Sequence, residues 1–322
     1  MTWCHPVEHV FGRVREGVFS STGFRIRAAQ PAAAATQVAH WAERVAASLF
    51  FTLFPADCRL CKSPLLRVSR LPVCNNCLQA LRPLSGPQCS VCGEAINSPV
   101  VLDHPETRCR ICQTVTPPFV RAVAYGSYER SLRDLIHLLK FGQVRSAAPV
   151  LGRLLRNAIA ALQPSLPPGM TAVVPVPLHT HKKSQRGFNQ AELIVRAALK
   201  QPSSLDGFEL CAKILVRVRD TGSQIGLTRH QRRQNLRGAF SVKDAAAVSG
   251  RNVLLVDDVY TTGATASECA RVLRRAGATR VWVATVARTL KASDFFIAPE
   301  EFSQHEIQQE SEDDRASLAA HA

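Results

Sequence analysis

Two hydrophobic rhythms alternate along residues 119–296. Short apolar runs are separated by stretches whose apolar positions return every third or fourth residue, the periods of buried strands and of helices with one covered face. "VRAVAYGSY" reads as a strand. "RSLRDLIHLLKFG" reads as a helix with Leu132, Leu135, Ile136 and Leu139 on one face, and "LGRLLRNAIAAL" as a second helix broken by "SLPPG". "TAVVPVP" is a short buried strand, "NQAELIVRAALK" a helix and "AKILVRVRD" a strand. After a polar, arginine-rich loop come "NVLLVDD" (strand), "ATASECARVLRRAG" (helix) and "TRVWVATVAR" (strand). Strands that alternate with helices predict an α/β domain, here residues 119–298, built on a mostly parallel sheet.

The flanks lack this rhythm. Residues 1–37 hold scattered arginines and the tract "QPAAAATQ" and read as disordered; an over-extended start and an organelle transit peptide are the alternatives. Residues 38–54 place Val38, Trp41, Val45 and Leu49 near helical spacing, which predicts an amphipathic helix packed on the segment after it. Its polar face has too few bases for a membrane-surface helix. Residues 299–322 carry Glu300, Glu301, Glu306, Glu310, Glu312, Asp313 and Asp314 against Arg315 and read as an acidic disordered tail.

Charge sharpens the picture. The chain has 322 residues and a net charge of +15 at pH 7, and setting the acidic tail aside leaves the body at about +21. Such a body prefers polyanions, either nucleic acid or small phosphate-rich ligands. No run of about 18 apolar residues exists to span a membrane. The start lacks a basic stretch followed by an apolar one, so a cytoplasmic location is the expectation.

Residues 55–118 form a cysteine-rich module. The pairs are Cys58 with Cys61, Cys74 with Cys77, Cys89 with Cys92, and Cys109 with Cys112, each C-x2-C. Such a turn aims two thiolates at one point, and two turns complete a tetrahedral S4 site. Two structural Zn2+ ions are expected, with iron–sulfur clusters as the alternative. Sequential pairing of the motifs is simplest, and an interleaved cross-brace has compatible spacing. Cys4, Cys211 and Cys269 stand apart, and Cys269 falls within a helix as a core residue.

The densest chemistry is "VLLVDDVYTTGAT", residues 253–265. At the end of a parallel strand, free amides and the next helix's N-terminus favour an anion. Gly263 permits a tight turn, and Thr261, Thr262 and Thr265 supply hydroxyls. Asp257 and Asp258 would repel a bare phosphate, so they suit the hydroxyls of a sugar joined to it, with Mg2+ able to share the site. A strand–turn–helix with N-cap threonines explains the turn but not the acids. The pattern is neither a Walker loop nor G-x-G-x-x-G.

This stretch resembles the phosphoribosyl pyrophosphate (PRPP) signature of type I phosphoribosyltransferases. "VVPVPLHTHKKSQRGFNQAELI", "LVRVRDTGSQIGLTRHQRRQNLRGAF" and "YERSLRDLIHLLKFG", behind four C-x2-C pairs, narrow the resemblance to the ComF family, also labelled ComFC or GntX-like. The resemblance covers about residues 50–290. It implies a double zinc ribbon ahead of a phosphoribosyltransferase-like parallel sheet with helices on both faces, and a part in DNA uptake during natural transformation. By the same resemblance Asp257 and Asp258 are catalytic and bind the ribose hydroxyls. Val259, Thr261, Thr262, Gly263, Ala264 and Thr265 bind PRPP, with Thr261 to Thr265 holding its 5-phosphate. Pro175, Pro177, Lys182, Lys183 and Arg186 lie near the pyrophosphate. Arg217, Arg219, Gln224, Arg232 and Asn235 belong to a mobile loop that closes over the ligand with Mg2+. Lys182 and Lys183 stand where arginine is common in the family. The implied reaction is displacement at ribose C1 with loss of pyrophosphate to an unidentified acceptor. The implied partners are PRPP, single-stranded DNA and a DNA-uptake helicase. Two other readings stay open: a non-catalytic PRPP or nucleotide sensor, and a nucleobase salvage enzyme.

Overall fold

The computed structural model describes residues 56–65, 69–96, 107–200, 205, 207–221 and 228–290. The readings of residues 1–37, 38–54 and 299–322, and that of Gln224, fall outside the described residues. In chain order the elements are α1 (Asn75–Gln79), α2 (Arg110–Thr114), β1 (Ala122–Ser127), α3 (Arg130–Lys140), α4 (Ala148–Ala160) and β2 (Thr171–Pro175). Then come α5 (Thr180–Arg186), α6 (Gln190–Leu199), β3 (Phe208–Leu210), β4 (Leu215–Arg217), α7 (Arg229–Leu236), β5 (Phe240–Val242), β6 (Asn252–Tyr260), α8 (Ala264–Arg275) and β7 (Arg280–Arg288).

Five strands pair in parallel in the order β1-β7-β6-β2-β3. Central β6 is covered on both faces, which is why its apolar run shows no polar alternation. Its side chains still point to opposite faces in turn. Leu254 and Val256 join the core formed with α3, α4 and α6, whereas Val253 and Leu255 join the one formed with α7 and α8. The same alternation sends Asp258 toward the α3 side and Asp257 toward the α8 side. Two adjacent carboxylates thereby enter different surroundings.

The face expected for "RSLRDLIHLLKFG" is the buried one: Leu132, Leu135, Ile136 and Leu139 are all covered in α3. Lys140 lies one turn beyond Ile136 and so shares that inward face. Three readings need correction. The strand in "NVLLVDD" does not stop at the acids but runs to Tyr260, because β7 continues opposite it as far as the Tyr260–Arg288 pair. The strand in "AKILVRVRD" is not part of the parallel sheet; β4 pairs antiparallel with β5 in a separate two-stranded sheet. The arginine-rich loop contains α7, held by a capping box in which the Thr228 hydroxyl and the Gln231 amide satisfy each other's backbone. Helix α5 and strand β3 were not expected from the apolar pattern. No helix among the described residues is long and apolar enough to cross a membrane.

Candidate functional site

The site forms where β6 ends and α8 begins. Gly263 has φ +75° and is the N-cap of α8, with no side chain capping the helix. The threonines therefore do not serve as helix caps, and the first amides of α8 face the turn. Glycine is required twice over here. Its φ is the left-handed one, and a Cβ would lie 2.2 Å from the Tyr260 hydroxyl oxygen. Asp257, Val259, Tyr260, Thr261, Gly263, Thr265, Ala266 and Thr285 line a small recess. Thr262 turns inward, where its hydroxyl is buried without a hydrogen-bond partner.

The two acids differ as the strand alternation requires. Asp257 Oδ1 accepts from the backbone N–H of Asp258 at 2.9 Å. Burial, then the charge of Asp258, push the Asp257 carboxyl up to about 7, against the opposing charges of Lys140 and Arg217. Asp258 is 3% exposed, and its Oδ1 lies 2.9 Å from Lys140 Nζ. Its Oδ2 is buried without a hydrogen-bond partner and remains an acceptor. Burial alone would lower the Lys140 value, but the charge and hydrogen bond of Asp258 more than offset it, and the ammonium is held above its ordinary range.

The turn after β2 runs beside this corner, and a cation-rich helix follows it. Pro175 is in register with Val256, and Val176 N–H donates to the Val256 carbonyl at 2.8 Å, which sets the "VPVP" turn beside the acids. Asn189 Nδ2 fastens that turn by donating to the Val176 carbonyl at 2.9 Å, and Pro177 follows half-buried. Helix α5 carries Lys182, half-buried, and Lys183, exposed. Arg186, on the same helix, donates to Gln190 Oε1 at 3.1 Å and stacks 5.2 Å from the Phe141 ring centroid.

The arginines of the expected mobile loop divide into two groups. Arg232, from α7, donates to Thr261 Oγ1 at 3.3 Å and so reaches the turn. Arg217 is half-buried, packs over Phe240, and feels the charge of Asp257. Arg219 instead caps the end of α7, donating to the Asn235 carbonyl at 2.7 Å and the Arg237 carbonyl at 2.9 Å. Asn235 thus meets Arg219 through its backbone.

Sequence reasoning passed over Lys140, Tyr260 and Thr285. Lys140 left a signal, since a lysine on the buried stripe of an amphipathic helix needs a partner. Thr285 left none: its place opposite Asp257 depends on the β6–β7 register.

The eight cysteines fall into two groups, Cys58, Cys61, Cys74, Cys77 and Cys89, Cys92, Cys109, Cys112, with the sulfurs of each within 4.8 Å of one another. The pairing is sequential. That spacing fits one tetrahedral ion held by four thiolates in each group, as in a double zinc ribbon. The turns are built alike. Cys58 N–H donates to the Ser63 carbonyl and Lys62 N–H to the Cys58 carbonyl, while Cys89 and Gly93 repeat this with Glu94 and Cys89. Backbone amides point at the sulfurs in both groups: Cys92 N–H donates to Cys89 Sγ at 3.5 Å and Cys77 N–H to Cys74 Sγ at 3.5 Å, bonds that favour a thiolate ligand.

The Lys140–Asp258 pair yields a stability test. Lys140→Met leaves a buried carboxylate uncompensated and is expected to cost about 3–5 kcal/mol in chemical denaturation. Adding Asp258→Asn removes the orphaned charge and should recover most of the loss. A double variant as unstable as the single one would overturn this charge balance.

A phosphoribosyl transferase domain family matches residues 207–296. The DNA utilization protein YhgH of Salmonella typhi is 33% identical over 237 residues, which cover 73% of this chain and 98% of that protein. Competence protein F of Haemophilus influenzae is 33% identical over 232 residues, or 69% of this chain and 93% of its own. Among solved structures, one described as the allosteric regulatory enzyme of purine biosynthesis aligns with 44% of this chain and 26% of its own, at 27% identity and a TM-score of 0.27. Identity of one third along nearly the whole length of the two relatives, in a chain with two Cys4 groups and an acid–glycine turn, places this protein in the ComF family.

Proposed function

We propose that the recess at the end of β6 binds PRPP with Mg2+, and that the protein transfers the phosphoribosyl group with release of pyrophosphate. The observation that carries this reading is the pair of carboxylates on opposite faces of one strand end, directly before a glycine turn that opens onto a helix N-terminus. Asp257 and Asp258 accept hydrogen bonds from the ribose hydroxyls. The turn from Thr261 to Thr265, including Gly263 and Ala264, receives the 5-phosphate on backbone amides and hydroxyls. Arg217, Arg232, Lys182 and Lys183 supply positive charge toward the pyrophosphate, whose departure builds negative charge. Asp257 and Asp258 would help to hold Mg2+ brought in with PRPP, where it would offset the charge building on the leaving pyrophosphate. In the reaction the bond from C1 to the pyrophosphate oxygen breaks, with its electron pair leaving on pyrophosphate, and a bond from C1 to the acceptor forms.

Calorimetry with Mg-PRPP tests the site. Asp257→Asn or Asp258→Asn removes a charge-assisted hydrogen bond, worth about 1.5–3 kcal/mol, and should weaken binding roughly 10- to 100-fold. The raised Asp257 fixes the pH dependence. Above about 7 it is a carboxylate that accepts from a hydroxyl. Below that it gains a proton, and affinity should fall toward about tenfold per pH unit. The fall disappears in Asp257→Asn. Wild-type affinity that is equal at pH 6 and pH 8 would contradict this role. Labelled PRPP then separates enzyme from sensor: pyrophosphate release with cell extract, lost in the double asparagine variant, marks transfer, whereas tight binding without turnover marks a sensor. Complementation of a salvage-deficient strain would instead identify a salvage enzyme.

The metal in the two cysteine groups is read as zinc, since all four positions of each are filled by protein thiolates. Elemental analysis should find about two zinc per chain; iron, or no metal, would refute this.

The relatives named for DNA utilization and for competence favour DNA as a second ligand, and we propose that it is single-stranded and delivered by a DNA-uptake helicase. Helix α7, with Arg232 and Arg233, and α5, with Lys182 and Lys183, offer the charge. Affinity for an oligonucleotide should fall steeply with salt. Salt-independent binding, or none, would remove DNA from the proposal.

A further inference from the structure

Arg288 closes β7 and is 1% exposed, although it carries a full charge. Its Nη1 donates to the Cys92 carbonyl at 2.7 Å, and its Nη2 pairs with the Glu94 carboxylate. Its guanidinium lies 5.4 Å from the centroid of the Tyr260 ring. The Tyr260 ring in turn lies against Gly263, at the distance that leaves no room for a Cβ. A continuous line of contacts therefore runs from the second cysteine group to the phosphate turn.

Both ends of this line are fixed. Glu94 belongs to the turn itself, since its carbonyl accepts from Cys89 N–H at 2.7 Å. That turn is docked on the sheet by a hydrogen bond from Ala122 N–H to the Val91 carbonyl at 2.7 Å. Gly93, at φ +69°, lets it lie so close that a Cβ would be 2.9 Å from the Ala122 carbonyl. At the other end, Thr289 N–H donates to the Tyr260 carbonyl at 3.0 Å.

The two cysteine turns differ where this matters. The first has Lys62 and Ser63 where the second has Gly93 and Glu94. The first turn thus lacks both the close approach and the carboxylate. A buried ion pair is a poor way to gain stability, because apolar residues of similar volume do as well or better. It is a good way to fix direction, since an arginine fork meets its acceptors in one orientation.

We propose that Arg288 is a positioning residue for the phosphate turn, carrying the folded shape of the second cysteine group through Tyr260 to Gly263, so that metal in that group and phosphate in the turn favour each other. This rests on the reading of residues 261–265 as a phosphate site, and coupling of this kind is reciprocal.

The experiment uses the full chain with metal bound and compares wild type with Arg288→Met and Glu94→Gln, after metal content is confirmed equal. Amides of residues 261–265 should exchange hydrogen about tenfold faster in both variants, while those of α6 keep wild-type rates. Ribose 5-phosphate should bind about tenfold more weakly, and inorganic pyrophosphate as before, a split that general destabilisation would not produce. Unchanged exchange at 261–265 in a metal-bound variant overturns the proposal. If either variant loses metal, wild type alone decides: ribose 5-phosphate should slow alkylation of Cys89 and Cys109 under a chelator, but not of Cys58 and Cys74. Equal rates with and without it overturn the coupling. If wild type binds no ribose 5-phosphate, the phosphate reading fails, and the exchange data still decide the role of Arg288.

Discussion

Two carboxylates side by side at the end of a buried strand must not share one environment, and the rest of the site depends on how they are kept apart. The alternation of β6 sends Asp258 toward α3, where Lys140 meets it, and Asp257 toward α8. One acid is paired with an ammonium. The other carries the burden of desolvation and its neighbour's charge, and its carboxyl is pushed up to about 7. The same alternation decides which helices surround the site. The basic side chains of β4 and α7 collect on the Asp257 side, where Arg217 senses it and Arg232 reaches Thr261.

What could be read from the chain was local. The covered face of α3 followed from its period, the cysteine groups from C-x2-C spacing, and the tight turn before α8 from Gly263. Elements whose identity depends on distant partners were hidden. The length of β6 depends on β7 continuing opposite it, and β4 is a strand only because β5 returns beside it. Helix α7 was masked by its composition, since polar residues dominate it, although Thr228 and Gln231 spelled a capping box. Lys140 was legible as an anomaly but not as a partner. Pairing it with Asp258 needed the third dimension.

The cysteine module is more than an appendage in this architecture. Leu71, Val73, Cys77 and Leu81 join the core shared by α3, α4 and α6, and Cys89, Cys92 and Cys112 join the other core. Ser146 also donates to the Arg70 carbonyl at 2.6 Å, a polar tie across the same boundary. Each half of the module thus seals one face of the sheet. This explains how a small segment with few large apolar residues holds a defined position on the larger one.

The strand order has a consequence for how the protein is made. Among the described residues β1 is the first strand in chain order, yet it lies at the sheet edge and its neighbour is β7, the last of them. At synthesis rates of about 5–20 residues per second, roughly 10–30 seconds pass before that partner exists. Through that interval the inner face of α3 and one side of β1 have no finished sheet to cover them, whereas each cysteine group gathers residues from one short stretch that emerges together. The nascent chain can therefore order its cysteine groups early, whereas the described sheet is completed only when β7 slides in beside β1.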